Sequence, residues 1–386
     1  MITAEENDQL TKIGPGTMMG NLMRRYWHPV ASAAQLEDEP VIEVDLLGEE
    51  LVLYKDLSGK LGLLARACAH RQTSLAYAIP EEHGIRCAYH GWVWSSQGQC
   101  LEQPSEPEGS TYHERVHMAA YPVRQYGGLI FAYMGPGPAP MIPRYNVLDW
   151  EHASRETNGT IVPCNWLQVL ENLLDPAHIA NLHGRYFGYV LDRTDPEEAA
   201  LFRSRIMPKP IKHLSFDLFD QGMIERHYTV DEQEHSWLVG SPIFFPATAM
   251  MGRDNKVGTL IFVVPLDDQR TWFVEHRGRI NSDKSDGPAP APYHDVPGAA
   301  PDGSFKVGTA NGQDHMAVVT QGKTTDRRHE HLGAGDAGLI IYRQLLLDQA
   351  RIVQDRGDPM NVHHGGPRNR RIDLPQVPPE PVSHLA

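Results

Sequence analysis

The chain has 386 residues, 41% apolar and 22% charged, ordinary values for a globular protein of two or three domains. A net charge of −14 argues against binding nucleic acid or an anionic membrane through the overall field. Four cysteines are too few for a disulfide scaffold and fit a reducing cytoplasm, and 20 histidines direct attention to metals.

Residues 4–26 read as helix in two pieces, broken by Gly14-Pro15-Gly16. The acidic start MITAEENDQL does not read as a signal peptide. From Trp27 to Met134 the pattern changes to short strands: VIEVDLLG, ELVLYKD, LGLLARA, RCAYHGWVW and GLIFAYM. Glycines punctuate them, which argues for a mostly antiparallel all-β domain over 27–137. GPGPAPMIP (Gly135–Pro143) reads as the linker that follows. Residues 138–386 read as an α+β domain, a sheet with helices packed on it. Asn165–His183 has helical spacing; HLSFDLFD, GMIERHYTV, TLIFVVPL and RTWFVEHRGRI read as strands. Asp283–Gly308 reads as a long loop, Gly335–Asp355 as a long helix, and the last dozen residues as a Pro-rich tail. The longest apolar run, Thr259–Leu266, is too short to span a bilayer.

Two clusters carry metal chemistry. Cys68-Ala69-His70 is followed, after 16 residues, by Cys87-Ala88-Tyr89-His90. Each pair sits just past a predicted strand, so two loops can pinch a metal between them. The spacing suits a structural zinc. It also suits a [2Fe–2S] cluster with Cys68 and Cys87 on one iron and His70 and His90 on the other. Cys100 and Cys164 have no paired spacing and read as buried, inert thiols.

The second cluster is Asp175, His178 and His183 in ENLLDPAHIANLHGRYFG. Two His plus a carboxylate make the facial triad of non-haem Fe(II) oxygenases. On a regular helix His178 and His183 would point about 140° apart, so they can share a metal only if the helix is broken or bulged; the alternative is an ordinary amphipathic helix with two partly buried histidines. Pro176 supplies a break, with Asp175 as cap of the new segment and Gly184 as its expected end.

The flanks add a resemblance. Arg71 after His70 and Gly91-Trp92 after His90 resemble a Rieske domain, whose loops run C-x-H-R-G and C-x-x-H-G-W; Gln72 stands where Gly is usual. Rieske loops, then about 80 residues, then E-N-x-x-D-x-x-H-x-x-x-x-H resemble the α subunit of Rieske non-haem iron oxygenases, nearest the phthalate dioxygenase and aryl-ether or O-demethylase branch. This implies an N-terminal Rieske [2Fe–2S] domain and a helix-grip-like catalytic domain holding a mononuclear Fe(II). By the match of GQDHMAVVTQGKTTDRRHEHLG to that branch, Asp314 is the third iron ligand, with His315 extra to the pattern and Asp336 the fallback. Asp326-Arg327 and Glu330 belong to the same block. Asn172 matches a position that approaches the iron in some relatives. Asp175 is implied as the bridge that carries electrons from a Rieske His of a neighbouring subunit to His178 in a homotrimer.

The resemblance further implies O2 as co-substrate and a separate flavin and iron–sulfur reductase fed by NADH or NADPH. The expected reaction is mono- or dioxygenation of an aromatic, possibly carboxylated compound, or O-demethylation or cleavage of an aryl ether. A Rieske electron carrier without oxygenase activity and a zinc-dependent hydrolase are the readings from other classes. Phe187, Phe216, Met223, Ile224, Phe244 and Met250 are pocket candidates that serve equally as core. Arg185, Arg193, Arg203 and Arg205 are candidate cations for a carboxylate.

Overall fold

The computed structural model describes residues 2–205, 211–230, 235–254, 256–280, 291–365 and 369–373. The Pro-rich tail beyond 373 and the first part of the expected long loop lie outside these residues.

The N-terminal helices run Ala4–Thr11 and Met18–Met23, with the break at Gly14–Gly16 as the sequence indicates. Thr3 and Glu6 form a capping box on the first: the Glu6 amide donates to the Thr3 hydroxyl, and the Thr3 amide to the Glu6 carboxylate.

Three small antiparallel sheets follow. Trp27–Ser32, Leu129–Tyr133 and Val123–Tyr126 form the first. Val41–Leu46, Glu49–Lys55, Leu61–Ala65 and Ala120–Tyr121 form the second. Ile79–Glu81, Gly84–Arg86, Val93–Trp94 and Cys100–Glu102 form the third. A compact apolar cluster that includes Val52, Tyr54, Leu64, Leu75, Ile85, Trp92 and Trp94 encloses Cys68, Cys87 and Cys100. This core is separate from the main one, so the Cys–His loops rest on packing of their own.

The second half is built on an eight-stranded sheet. Its order is Ile211–Phe219, Gly222–Val230, His235–Phe244, Thr248–Asp254, Val257–Asp267, Arg270–Ile280, Ala153–Val162, Tyr293–Asp295. Every neighbouring pair is antiparallel except the last. Side chains alternate between the two faces. On one face Gly258 and Gly278 leave room for Val147 and Trp150, where a Cβ would stand 2.9 and 2.8 Å from Val147. Phe131 of the first small sheet meets Phe262 there, ring centroids 5.9 Å apart. The long helix Ala337–Gln354 packs on the main core through Tyr342, which lies against Phe245, and through Gly338, which makes room for Phe216.

The fold is therefore α+β, as expected. Elements that escaped the sequence reading include strands Ala153–Val162, His235–Phe244, Thr248–Asp254 and Tyr293–Asp295, the last within the segment read as a loop, and helices Phe187–Thr194, Pro196–Arg205 and Ala310–Val319. ASRETNGTIV is mostly polar yet occupies an interior sheet position between two other strands. ANGQDHMAVV has little apolar periodicity; it is helical because Thr309 caps it, accepting from the Gly312 amide at 3.1 Å, and because tertiary packing overrides weak propensity. Among the described residues no helix is long and apolar enough to cross a membrane.

Candidate metal centres

The two Cys–His loops are near copies of each other. The Gln72 amide donates to the Cys68 carbonyl (2.8 Å) and the Gly91 amide to the Cys87 carbonyl (3.0 Å). The Cys68 amide donates to Thr73 O (2.9 Å) and the Cys87 amide to Trp92 O (2.8 Å). Each loop closes on a left-handed residue, Gln72 at φ 61° and Gly91 at φ 73°. The glycine usual at position 72 thus answers a backbone need, which Gln72 meets at a strain cost.

The loops set two thiols inward and two imidazoles outward. Cys68 and Cys87 are buried side by side, and burial pushes the Cys68 thiol up. His70 and His90 lie at the surface edge, ring centroids 4.7 Å apart. Trp92 stacks flat on His70 at 4.3 Å and fixes that ring. Desolvation first, then the facing His90, push His70 below its usual value, which favours the neutral, ligating form. Arg86 ties the second loop down by donating to Gly91 O (2.9 Å) while pairing with Glu81 and Glu102. Two deep sulfurs and two outer nitrogens fit a [2Fe–2S] group whose two irons differ in ligand type. Cys100 and Cys164 are fully buried, with thiols pushed up to about 11 and about 12 by burial; neither is poised to react.

The second centre lies where the main-domain helix breaks. Helix Trp166–Leu173 ends, Asp175 Oδ1 accepts from the Ala177 amide (2.8 Å), and a new segment starts after Pro176. Ile179–Tyr186 is a π-helix. Its i→i+5 bonding stacks residues five apart, which turns His178 and His183 to one side. The helix does not stop at Gly184 as expected. It runs on as Phe187–Thr194, because Gly184 keeps a helical backbone and sits buried.

Asp314 arrives from helix Ala310–Val319. His178, His183 and Asp314 each offer a donor atom within 4.8 Å of the others. Asp314 Oδ1 is 3.2 Å from His183 Nε2 and 3.6 Å from His178 Nε2. That oxygen is buried yet makes no well-formed hydrogen bond. Two imidazole nitrogens and a carboxylate oxygen converging on one point are a donor set that fits a metal. The far ring nitrogens are already occupied: His178 Nδ1 bonds the Asp175 carbonyl, and His183 Nδ1 lies 2.8 Å from Gln313 Oε1. Both rings therefore present Nε2 inward. The Asp314 carboxylate raises the His183 pKa.

The main-chain carbonyl of Asp175, not its carboxylate, holds His178; the carboxylate Oδ2 stands 3.9 Å from that ring nitrogen. Asp336 is away from the triad and accepts from the Gly333 amide at the start of the long helix. Arg327, fully buried, and Arg343 both grip Glu171, and Arg343 also pairs with Glu330. Asn172 lines a cavity that reaches Asp314. The walls of that cavity also include Thr160, Val162, Val169, Leu173, Phe273, Asn311, His315 and Val318, which the sequence reading missed. Of the residues proposed there, Phe216, Met223, Phe244 and Met250 sit in the main core, Ile224 is buried, and Phe187 packs on Phe202. Arg193 bonds the Tyr189 hydroxyl, Arg203 pairs with Asp192, and Arg185 is exposed; the Arg205 side chain lies outside the described set.

Comparison with known proteins places this architecture. Residues 26–125 match the Rieske [2Fe-2S] domain family. The chain is 36% identical to the 5,5'-dehydrodivanillate O-demethylase oxygenase subunit of Sphingobium sp., over 98% of this chain and 87% of that one. It is 33% identical to the phenoxybenzoate dioxygenase subunit alpha of Ectopseudomonas oleovorans, over 94% and 89%. In fold it resembles the terminal oxygenase of carbazole 1,9a-dioxygenase from Novosphingobium sp. KA1, with a TM-score of 0.61, 19% identity and coverage of 90% and 96%. The chain belongs to the Rieske non-haem iron oxygenases, as an oxygenase (α) subunit. It is the oxygenase component of a multicomponent system and carries a Rieske [2Fe–2S] cluster and a mononuclear iron.

Proposed function

We propose that Cys68, His70, Cys87 and His90 hold the cluster and that His178, His183 and Asp314 hold the iron. The observation that carries this is the convergence of three donor atoms within 4.8 Å beside a cavity. The division into 1–26, 27–137 and 138–386 belongs to the same reading: one unit stores an electron and the other does the chemistry.

The substrate is an aromatic compound carrying an oxygen substituent, and the reaction is oxygenation that removes an O-methyl group or opens an aryl ether. The names of the O-demethylase and phenoxybenzoate relatives support this class. For demethylation the balance is ArOCH3 + O2 + 2 H⁺ + 2 e⁻ → ArOH + CH2O + H2O. The bound iron supplies O2 activation. The chain supplies the rest. Val162, Val169, Leu173, Phe273 and Val318 exclude water around a ring. The Nδ1 bonds keep both imidazoles aimed inward.

Electrons come from a separate NADH- or NADPH-dependent flavin and iron–sulfur reductase, in the cytoplasm. Asp175 passes them between subunits of a homotrimer; its carboxylate is partly exposed, with Oδ1 capping Ala177 and Oδ2 3.9 Å from His178 Nδ1.

A single turnover tests the reaction. The protein is reduced without air, mixed with methoxyarenes, diaryl ethers and aromatic acids, and exposed to ¹⁸O₂. Formaldehyde release, or one labelled oxygen, is expected. Two labelled oxygens in a diol would mean dioxygenation instead, and no product from any compound would refute an aromatic substrate.

A further inference from the structure

The helix that delivers Asp314 delivers a second group. Asn311, Asp314, His315 and Val318 follow the i, i+3, i+4, i+7 spacing of one helical face, and all four line the cavity. The same turn that points Asp314 at the imidazoles therefore turns His315 to the cavity wall.

His315 is built in. It is only 7% exposed, and its Nδ1 is buried without a hydrogen-bond partner. Gly298 lies against the Cβ, Cγ and Nδ1 edge so closely that a Cβ there would stand 2.4 Å from the ring. This leaves the Nε2 edge for the cavity. Placing the hydrogen on Nε2 leaves only a lone pair, not an N–H, unpaired beneath Gly298. The other polar groups of this face are engaged. Asn311 Nδ2 reaches Glu275 at 3.4 Å, and Asp314 faces the two imidazoles. The Phe305 ring packs on His315, centroids 5.9 Å apart; Val169, Leu173, Phe273 and Val318 line the same cavity, whose walls contain no Lys or Arg among the described residues.

We propose that His315 is the specificity-determining residue of this oxygenase: its Nε2–H donates to an uncharged oxygen, a phenolic hydroxyl or aryl-ether oxygen, of a ring seated among these apolar side chains. A free carboxylate at this position would be desolvated with no Lys or Arg side chain to pair with it. The inference rests on the cavity being the substrate site and deepens that reading by naming the group recognised.

The test is equilibrium binding to the iron-loaded protein by calorimetry, without reductant, so that no turnover occurs. The probes are guaiacol, ethylbenzene and benzoate. Wild type should bind guaiacol at least about fivefold more tightly than either other probe, the effect of one hydrogen bond in a dry site. His315→Leu should reverse the preference in favour of ethylbenzene. His315→Gln, which keeps a donor at similar reach, should retain it. Gly298→Ala, which keeps His315 but displaces its ring, should weaken it. Iron content, measured in parallel, should be unchanged in His315→Leu. A guaiacol preference that survives in His315→Leu, or wild type that favours ethylbenzene or benzoate, overturns the assignment and leaves the aromatic reading intact. No binding of any probe by wild type overturns both.

Discussion

Gln313 Oε1 lies 2.8 Å from His183 Nδ1, and Gln313 is the residue immediately before Asp314. One helical turn thus carries both the group that bonds His183 and the proposed third iron ligand. Gln313 is 1% exposed and is itself fixed by donating to Val307 O at 2.8 Å. Groups that bond the far nitrogen of a metal-bound His set its tautomer and direction. Gln313→Leu should lower iron affinity by roughly 10–100-fold while leaving the cluster's visible absorption unchanged. Competition with a chelator measures it; wild-type affinity would deny Gln313 this role.

Asp175→Asn separates electron passage from metal binding. The carbonyl that holds His178 survives the change, as does an oxygen able to cap Ala177. Both metals should stay bound, and turnover should be nearly abolished. Full activity in this variant would refute a bridging carboxylate.

The buried pairs of Glu171 with Arg327 and Arg343 anchor the helix that leads into the iron segment. Removing Arg327 leaves Glu171 and Glu330 to share Arg343, with one buried negative charge uncompensated. Arg327→Ala should cost about 3–5 kcal/mol of stability. Denaturant unfolding should show this together with loss of the mononuclear iron.

Gln72 holds a left-handed backbone at φ 61°. Replacing it with the unstrained residue should stabilise the cluster loop. The midpoint of thermal cluster bleaching should rise in Gln72→Gly, by an amount equivalent to about 1 kcal/mol. A lower midpoint would mean that the Gln72 side chain contributes more than its backbone costs.

Acid should loosen the main sheet. His276 is fully buried, with Nδ1 2.9 Å from Thr157 Oγ1, and burial pushes its pKa down from 6.5 to about 4. Between those values the unfolded chain binds the extra proton and the folded chain does not. Stability is therefore complete above about pH 6.5 and declines as pH falls toward 4, by up to about 3 kcal/mol from this residue. Unfolding midpoints taken from pH 7 to 4.5 should fall less steeply in His276→Asn than in wild type.

Much of the architecture was legible because local chemistry states it. The Cys–His loops announce themselves by spacing, and Gly14-Pro15-Gly16 breaks the first helix where it should. The i to i+5 separation of His178 and His183 demanded a distorted helix, and the π-helix meets that demand. The cavity walls were not legible. Thr160 and Phe273 face each other only because Ala153–Val162 joins the sheet out of sequence order, beside Arg270–Ile280. Gln313 and His315 lie on a helix whose own sequence is a poor helix former, so only tertiary packing shows which way they point. Asp314 was expected as a ligand from the resemblance of its segment to the family, not from periodicity, and it stands beside the two imidazoles.

The central claim is that one chain holds both a two-iron cluster and a third, separate iron. Quantifying iron and acid-labile sulfide in the anaerobically purified protein, with His183→Ala alongside, tests it most directly. The account predicts about three irons and two sulfides per chain in wild type, and loss of one iron but no sulfide in the variant. Two irons in both proteins would contradict the triad and leave only an electron carrier.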